Sequence, residues 1–258
     1  MQFSDLPLGE LDPQRVAILE PHHLLGRLAV PPRAVLCFFY DVVARRGADP
    51  SSGWRSLATR DLENGPRTFW EVGEGDDAVL VLNPGTGAPT AVTLLEMVIA
   101  AGATTVLAVG GAGALVDEMA LGNVVIPSSA VRDEGTSFHY LEAARSIELD
   151  GAVVDQLDRF LESRGVPHAV APVWTTDGLF RETPDRVARR RAEGCLLVDM
   201  ECSALAAVAA FRGVRFGQLL YAGDSLAAAE WDHRGWNRAD SVRDSLLDLA
   251  IDAVRGLA

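Results

Sequence analysis

Residues 77–109 read DAVLVLNPGTGAPTAVTLLEMVIAAGATTVLAV, and this stretch decides the fold class. A short apolar run ends in Asn83, Pro84 and Gly85. Apolar positions then recur at helical spacing, and TTVLAV (104–109) resumes a continuous apolar run. Pro89 suits a first helical turn, where its missing N–H costs nothing, and Gly102 suits the position just past the helix end. The reading is strand, helix, strand. Two continuously apolar strands joined by a helix imply parallel pairing, cover on both faces and a right-handed connection.

The pattern returns further along. CLLVDM (195–200) reads as a strand, SALAAVAAFRG (203–213) as a helix stopped by Gly213, and VRFGQLLYAG as another strand. GNVVIPSSAV (122–131) reads as a strand, followed by the polar loop VRDEGTSFHYLE. A last amphipathic helix is expected from Asp240 or Ser241, with Val242, Leu246, Leu249, Ala253 and Leu257 on one stripe, covering an edge or face of the sheet. Residues 1–75 are less legible: PPRAVLCFFYDVVARRGADP holds a strand or helix start, and GADPSSGW reads as a loop. With no repeat or low-complexity tract, one α/β domain over residues 1–258 is expected, its helices and sheet packed in three layers.

With 48% hydrophobic and 23% charged residues, the 258-residue chain has globular composition and enough length for a large core. A net charge of −13 opposes attraction to phosphate backbones and anionic membranes, so no nucleic acid and no membrane partner is expected. Cys37, Cys195 and Cys202 show neither CxxC nor paired spacing, which reads as small core residues in a reducing cytosol. The first twenty residues lack a cationic start and an apolar core, and no apolar run reaches about 18 residues, so the expected location is cytoplasmic.

Four constellations could carry chemistry. The first is a pair of glycine loops, Asn83–Pro89 and Gly110–Leu115, each expected directly after a parallel strand. In open α/β sheets ligands gather at the carboxyl ends of strands, where Gly85, Gly87, Gly110 and Gly111 would let backbone N–H groups approach an anion or a sugar. The same glycines could equally serve only tight turns. A dinucleotide site fits poorly, because GTGAPT lacks the third glycine and the acidic ribose ligand about 20 residues on. The second is Asp199-Met200-Glu201, acids at a strand end before a helix; Glu201 could be a helix-dipole partner or could accept hydrogen bonds from vicinal hydroxyls. The third is Tyr221-Ala222-Gly223-Asp224-Ser225, where Asp224 could cap a helix beginning SLAAAEW or could assist a departing base with a proton. The fourth is the loop Arg132–Tyr140, whose Phe138 or Tyr140 could stack on a base or anchor the core.

Taken in order, GTGAP, VLAVGGAGAL, GNVVIPSSAVRDEGTSFHY, VWTTDGLFRETP, VDMECSAL and YAGDSL resemble the nucleoside phosphorylase superfamily of the purine nucleoside and uridine phosphorylase type, from about Val79 to Leu226. That resemblance implies a three-layer α/β/α fold around a mixed, partly barrel-like sheet, and a homo-oligomer of dimers arranged into a hexamer. It implies attack of inorganic phosphate on a nucleoside to give free base and ribose 1-phosphate, without cofactor or metal. It places Met200, Glu201 and Asp199 at the ribose, and Phe138, Thr175, Thr176, Asp177, Phe180 and Asp224 at the base, with Arg181 in the same segment. Glu201 and Asp224 become the catalytic pair, and phosphate would meet Gly85, Gly87, Gly110, Gly111 and Arg132.

The sequence also departs from that pattern. Ala108 stands where a phosphate-binding arginine is expected, and Glu20-Pro21-His22-His23 stands where a Gly-Asp-Pro is expected. Arg27, Arg33 or Arg132 could substitute. The glutamine and arginine that read a pyrimidine are not evident after Thr176, and a purine nucleoside is favoured over a uridine-type substrate because Asp224 suits a leaving base that accepts a proton at N7. A nucleosidase using water, with Glu20 or Glu134 activating it, and a non-catalytic nucleoside-binding protein are the alternatives.

Overall fold

A computed structural model describes residues 5–257; residues 1–4 and 258, part of the expected domain span, lie outside the described residues. Ten strands join one mixed sheet, in which β5 (Thr105–Ala114), β10 (Arg215–Ser225), β6 (Val124–Asp133), β8 (His168–Thr176) and β9 (Leu197–Asp199) close into a small barrel. Closure depends on β5, which pairs in parallel with β10 on one side and antiparallel with β9 through Gly113 and Ala114. From β5 the sheet also extends outward through β1 (Arg33–Cys37), β4 (Val79–Leu82), β3 (Gly65–Val72) and β2 (Arg55–Leu62). The short β7 (Ser146–Glu148) pairs with β6.

The expected βαβ unit is β4, α3 (Ala88–Ala100) and β5, and β4 and β5 sit on either side of β1 with all three parallel. Every residue of β4 is buried, which requires cover on both faces. Gly85 and Gly87 have φ of +80° and +94°, a left-handed backbone that a side chain would strain, so this first glycine run is a true turn. The second run is not a loop: the strand continues through Gly110, Gly111 and Gly113 to Ala114. These glycines answer to their neighbours. A Cβ on Gly111 would lie 2.9 Å from the Tyr221 ring, and one on Gly113 would lie 2.5 Å from Leu226.

The remaining helices are α1 (Pro21–Leu25), α2 (Tyr40–Ala48), α4 (Gly151–Ser163), α5 (Pro184–Ala192), α6 (Cys202–Arg212) and α7 (Asp240–Gly256). Helix α6 packs beside α3 and against β6 and β10, α4 against β6, β8 and β10, and α7 against β1, β4 and β5. The expected last helix is α7, burying Leu246, Ala253 and other apolar residues while Asp244 and Asp248 face Arg45 and Arg46 of α2. Gly213 stops α6 in the left-handed conformation, as its position predicts. All three cysteines are free and buried. Among the described residues no helix is long and apolar enough to cross a membrane.

Residues 33–72, unresolved by pattern, form β1, α2 and the β2–β3 hairpin. The Glu20-Pro21-His22-His23 segment is a helix start: Glu20 and His23 form a reciprocal cap, and the Glu20 carboxylate also accepts from the Ala17 N–H. Glu20 therefore serves as a helix cap in this fold. The residues that follow β1 at the carboxyl edge, beside Gly110, are Phe38, Phe39 and Tyr40.

Close packing of α4 onto β10 gives a direct check. A Cβ on Gly217 would meet Val153 at 2.7 Å and Leu157 at 2.9 Å, both fully or nearly fully buried. Gly217→Ala is expected to lower the urea unfolding midpoint, by about 1–3 kcal/mol of stability as for other overpacked cores.

Candidate active site

The chain leaves β9 at a buried carboxylate. Asp199 Oδ1 accepts from the Thr175 hydroxyl at 2.7 Å, and Oδ2 accepts from the Cys202 N–H at 2.7 Å, the Glu201 N–H at 3.2 Å and the Gln218 amide at 3.4 Å. These donors include free N–H groups at the start of α6, which any helix leaves unsatisfied. Asp199 is thus a positioning residue, and its expected place on the ribose is corrected: both oxygens are consumed inside the protein. Thr175 is corrected for the same reason, since its buried hydroxyl donates to Asp199 and accepts from the Ser203 N–H at 3.1 Å.

That anchor sets Glu201, which begins α6 without capping it. Its Oε1 accepts the Gly87 N–H at 2.5 Å, and the Met200 N–H also bonds the carboxyl. Burial, and then the charge of Asp199, push the Glu201 carboxyl up to about 8. Asp199, bound by several donors, is the member of this pair that stays ionised, so Glu201 carries a proton near neutrality and can both donate to and accept from hydroxyls.

Asp224 reaches the same strand from the other side. The register between β10 and β5 shifts between Ala222 and Ser225, so Gly223 and Asp224 form a bulge that re-aims the side chain. Asp224 Oδ1 lies 3.6 Å from where a Gly113 Cβ would stand, and Val198 of β9 lies 3.0 Å from that point. Asp224 and the β9 end bearing Glu201 therefore flank the end of β5. Gly111, two residues earlier, is the one exposed residue of this otherwise buried strand. The expected helix after Asp224 is absent. The chain returns as a loop closed by two backbone hydrogen bonds between Ser225 and Asp232, and the Trp231 indole donates to Asp224 Oδ2 at 2.6 Å.

Sequence reasoning stopped one residue short of Glu182, whose carboxyl is pushed up to about 7 by burial and then by the charge of Asp224. An acid in a polar segment carries no sequence signal of this pairing, and neither does Trp231, brought back over Asp224 by an irregular loop.

Other expected residues are placed differently. Arg132 is buried and spent within the protein, donating to Ser137 Oγ at 2.9 Å, Glu142 O at 2.7 Å and Leu141 O at 3.2 Å, so it is not a phosphate ligand. Its guanidinium lies 4.2 Å from the centroid of the half-buried Phe138 ring. Glu134, the other expected water activator, accepts from the Ser137 N–H and the Ser203 hydroxyl. Thr176 is buried and bonds the Gly178 N–H, while Asp177 is exposed and ties β8 to the β6 loop through the Gly135 N–H at 2.8 Å. Phe180 is 94% exposed and lines nothing within this chain. Gly110 sits under Phe38 as part of a paired strand rather than as a phosphate loop, and Gly111 shares that strand. Arg33 lies at the amino end of β1, away from the carboxyl edge, and Arg27 is exposed. Met200, next to Glu201 in the chain, is half-buried.

The model of the Phosphorylase superfamily matches residues 56–253, and the chain belongs to that family. It is 25% identical to a guanosine phosphorylase of Halorubrum lacusprofundi, over 70% of this chain and 74% of that protein. It is 27% identical to a DeoD-type purine nucleoside phosphorylase of Colwellia psychrerythraea, over 68% of this chain and 75% of that one. The crystal structure of uridine phosphorylase from Vibrio fischeri superposes with a TM-score of 0.70 at 26% identity, covering 88% of this chain and 92% of that chain. The closed mixed sheet is thus the nucleoside phosphorylase fold.

The protonated Glu201 makes stability depend on pH. A folded value near 8 against an ordinary 4.5 means that the folded chain holds this proton where an unfolded chain has lost it. Stability from this group is fully present below 4.5 and is lost as pH rises through 8. Asp199 and Glu182, also raised, act in the same direction. Glu201→Gln, which keeps the neutral form, should therefore flatten part of the fall in urea midpoint between about pH 5 and about pH 9. An unchanged slope would show that Glu201 is ionised throughout.

Proposed function

We propose that this chain cleaves the N-glycosidic bond of a nucleoside, with phosphate as the attacking group and a purine as the departing base. The observation that carries this reading is that Asp224 and the short strand β9, which leads two residues on to Glu201, flank the glycine-bare end of β5 from opposite sides. Glu201, fixed by the Gly87 N–H and protonated near neutrality, would hold the vicinal ribose hydroxyls. Asp224 would meet the base at N7. As the bond breaks, the ribosyl group gains positive charge and the base negative charge. Hydrogen-bonding or protonating the base then lowers the barrier, a contribution of about 10²–10⁴-fold. Glu182, raised to about 7 beside Asp224, keeps a proton within the same group of acids. Phe138 is the aromatic ring this reading assigns to the base.

The family relationship supports glycosidic chemistry, and the relatives include purine and uridine enzymes. Asp224 is what favours a purine, because a pyrimidine has no N7 to accept its proton. The reading includes no organic cofactor or metal, a cytosolic location and a homo-oligomer built from dimers.

Hydrolysis is the second reading, favoured by one observation. Ala108, where an arginine is expected, is fully buried between β1 and β10, and Arg132 is spent elsewhere. Water needs no cationic seat.

Base release from inosine, guanosine, adenosine and uridine, followed with and without phosphate, separates these readings. Phosphate-dependent release with ribose 1-phosphate as product is expected; unchanged release with free ribose would assign hydrolysis. Asp224→Asn and Glu201→Gln should each lower kcat/KM by about 10²–10⁴-fold. If neither substitution slows cleavage, the assignment of these two acids fails.

A further inference from the structure

Asp224 has two carboxyl oxygens, and the fold treats them differently. Oδ2 accepts the Trp231 indole N–H at 2.6 Å, while Oδ1 lies against bare backbone at the end of β5, 3.6 Å from the point where a Gly113 Cβ would stand. An indole N–H can only donate, so the oxygen it holds is kept as an acceptor. A proton on Asp224 then belongs on Oδ1.

A loop, rather than packing, brings Trp231 to this place. Its side chain is 61% exposed, so burial does not fix it. The loop is instead fastened to β10 at two points. Ser225 and Asp232 exchange backbone hydrogen bonds at 2.8 and 3.0 Å, and the Tyr221 hydroxyl donates to the Trp236 carbonyl at 3.1 Å. His233 meets the indole edge-on, with ring centroids 5.1 Å apart. Arg234, with φ of +49°, is the one non-glycine residue in the left-handed region among the described residues, a conformation that costs about 1–3 kcal/mol. Its side chain holds the turn, donating to the Met119 carbonyl at 2.6 Å and to the Asp232 carboxylate at 3.3 Å. Such strain persists where the surroundings over-determine the backbone, and this turn sets one N–H on one oxygen.

We propose that Trp231 is the positioning residue of the general acid, directing the proton of Asp224 to Oδ1 and steadying the carboxylate left behind. The inference rests on the glycosidic-cleavage reading with a purine as the departing base. As the C1′–N9 bond breaks, its electron pair passes into the base. The O–H bond at Oδ1 breaks and an N7–H bond forms, so the base leaves neutral and Asp224 becomes a carboxylate. The Trp231 hydrogen bond is thereby converted from a neutral one into a charge-assisted one, roughly twice as strong. An interaction that strengthens along the reaction raises kcat rather than lowering KM.

The test compares the full chain with Trp231→Phe and Asp224→Asn on a purine nucleoside, guanosine or inosine, and on its 7-methyl derivative, with thermal melts confirming that the variants fold. The methylated base already carries positive charge and departs neutral without a proton from the protein. On the unmethylated nucleoside, Trp231→Phe is expected to lower kcat roughly tenfold to a hundredfold, as for loss of a hydrogen bond to a charged group, with KM moving less than about threefold. On the methylated one the loss should be several times smaller, in parallel with that of Asp224→Asn. If the wild-type chain refuses the methylated substrate, the split between kcat and KM decides alone. An undiminished kcat in Trp231→Phe, where Asp224→Asn is slow, overturns the proposal and leaves the proposed function standing. Equal losses on both substrates, or a raised KM at constant kcat, also overturn it, because the ring then acts as structure or as a wall for the base. If Asp224→Asn is as fast as the wild-type chain, or no purine nucleoside is cleaved, the proposal and the reading beneath it fall together.

Discussion

The Asp199 carboxylate, buried and bonded by Thr175, Cys202, Glu201 and Gln218, is the constraint on which the rest of the site depends. Taking a carboxylate out of water is costly, and only a full set of donors offsets it. Those donors come from β8, from the β9–α6 turn and the start of α6, and from β10, so the charge ties three barrel strands and a helix to one point. The helix in turn finds an acceptor for N–H groups that it cannot satisfy itself. Glu201 has little freedom left: its own N–H is fixed from below by Asp199 and its carboxyl from the side by Gly87. A single inward-facing acid thus fixes the backbone of Glu201 and, after burial, adds to the rise of its carboxyl.

Closure of the sheet does the rest. β5 belongs at once to the barrel and to the open extension, so its carboxyl end is where β1, β9 and β10 converge. Tyr221, Leu226, Val198 and Phe38 crowd that end, and they can do so because the strand offers bare backbone at Gly110, Gly111 and Gly113. The bulge at Gly223 and Asp224 spends one extra residue to turn an acid toward this junction.

Much of this was legible in the chain. The βαβ unit stood out because strands buried on both faces are continuously apolar, and α6 and α7 were marked by a terminal glycine and an amphipathic stripe. The β2–β3 hairpin was not, since β2 buries none of its residues and so shows no clear alternation. The glycines of β5 were misread as a loop because sequence cannot tell a glycine needed for its own φ, as at Gly85, from one needed by a neighbour's ring, as at Gly111. In the site, it is the orientation of side chains that the sequence does not carry. Asp199, Thr175 and Arg132 have the right chemistry for a ligand, yet their polar atoms point inward, and lone-pair direction is a property of the fold.

Gly111 is the one exposed residue of a strand hemmed in on both edges. A surface made of main chain has no side chain to trade away, and any replacement there can only fill space.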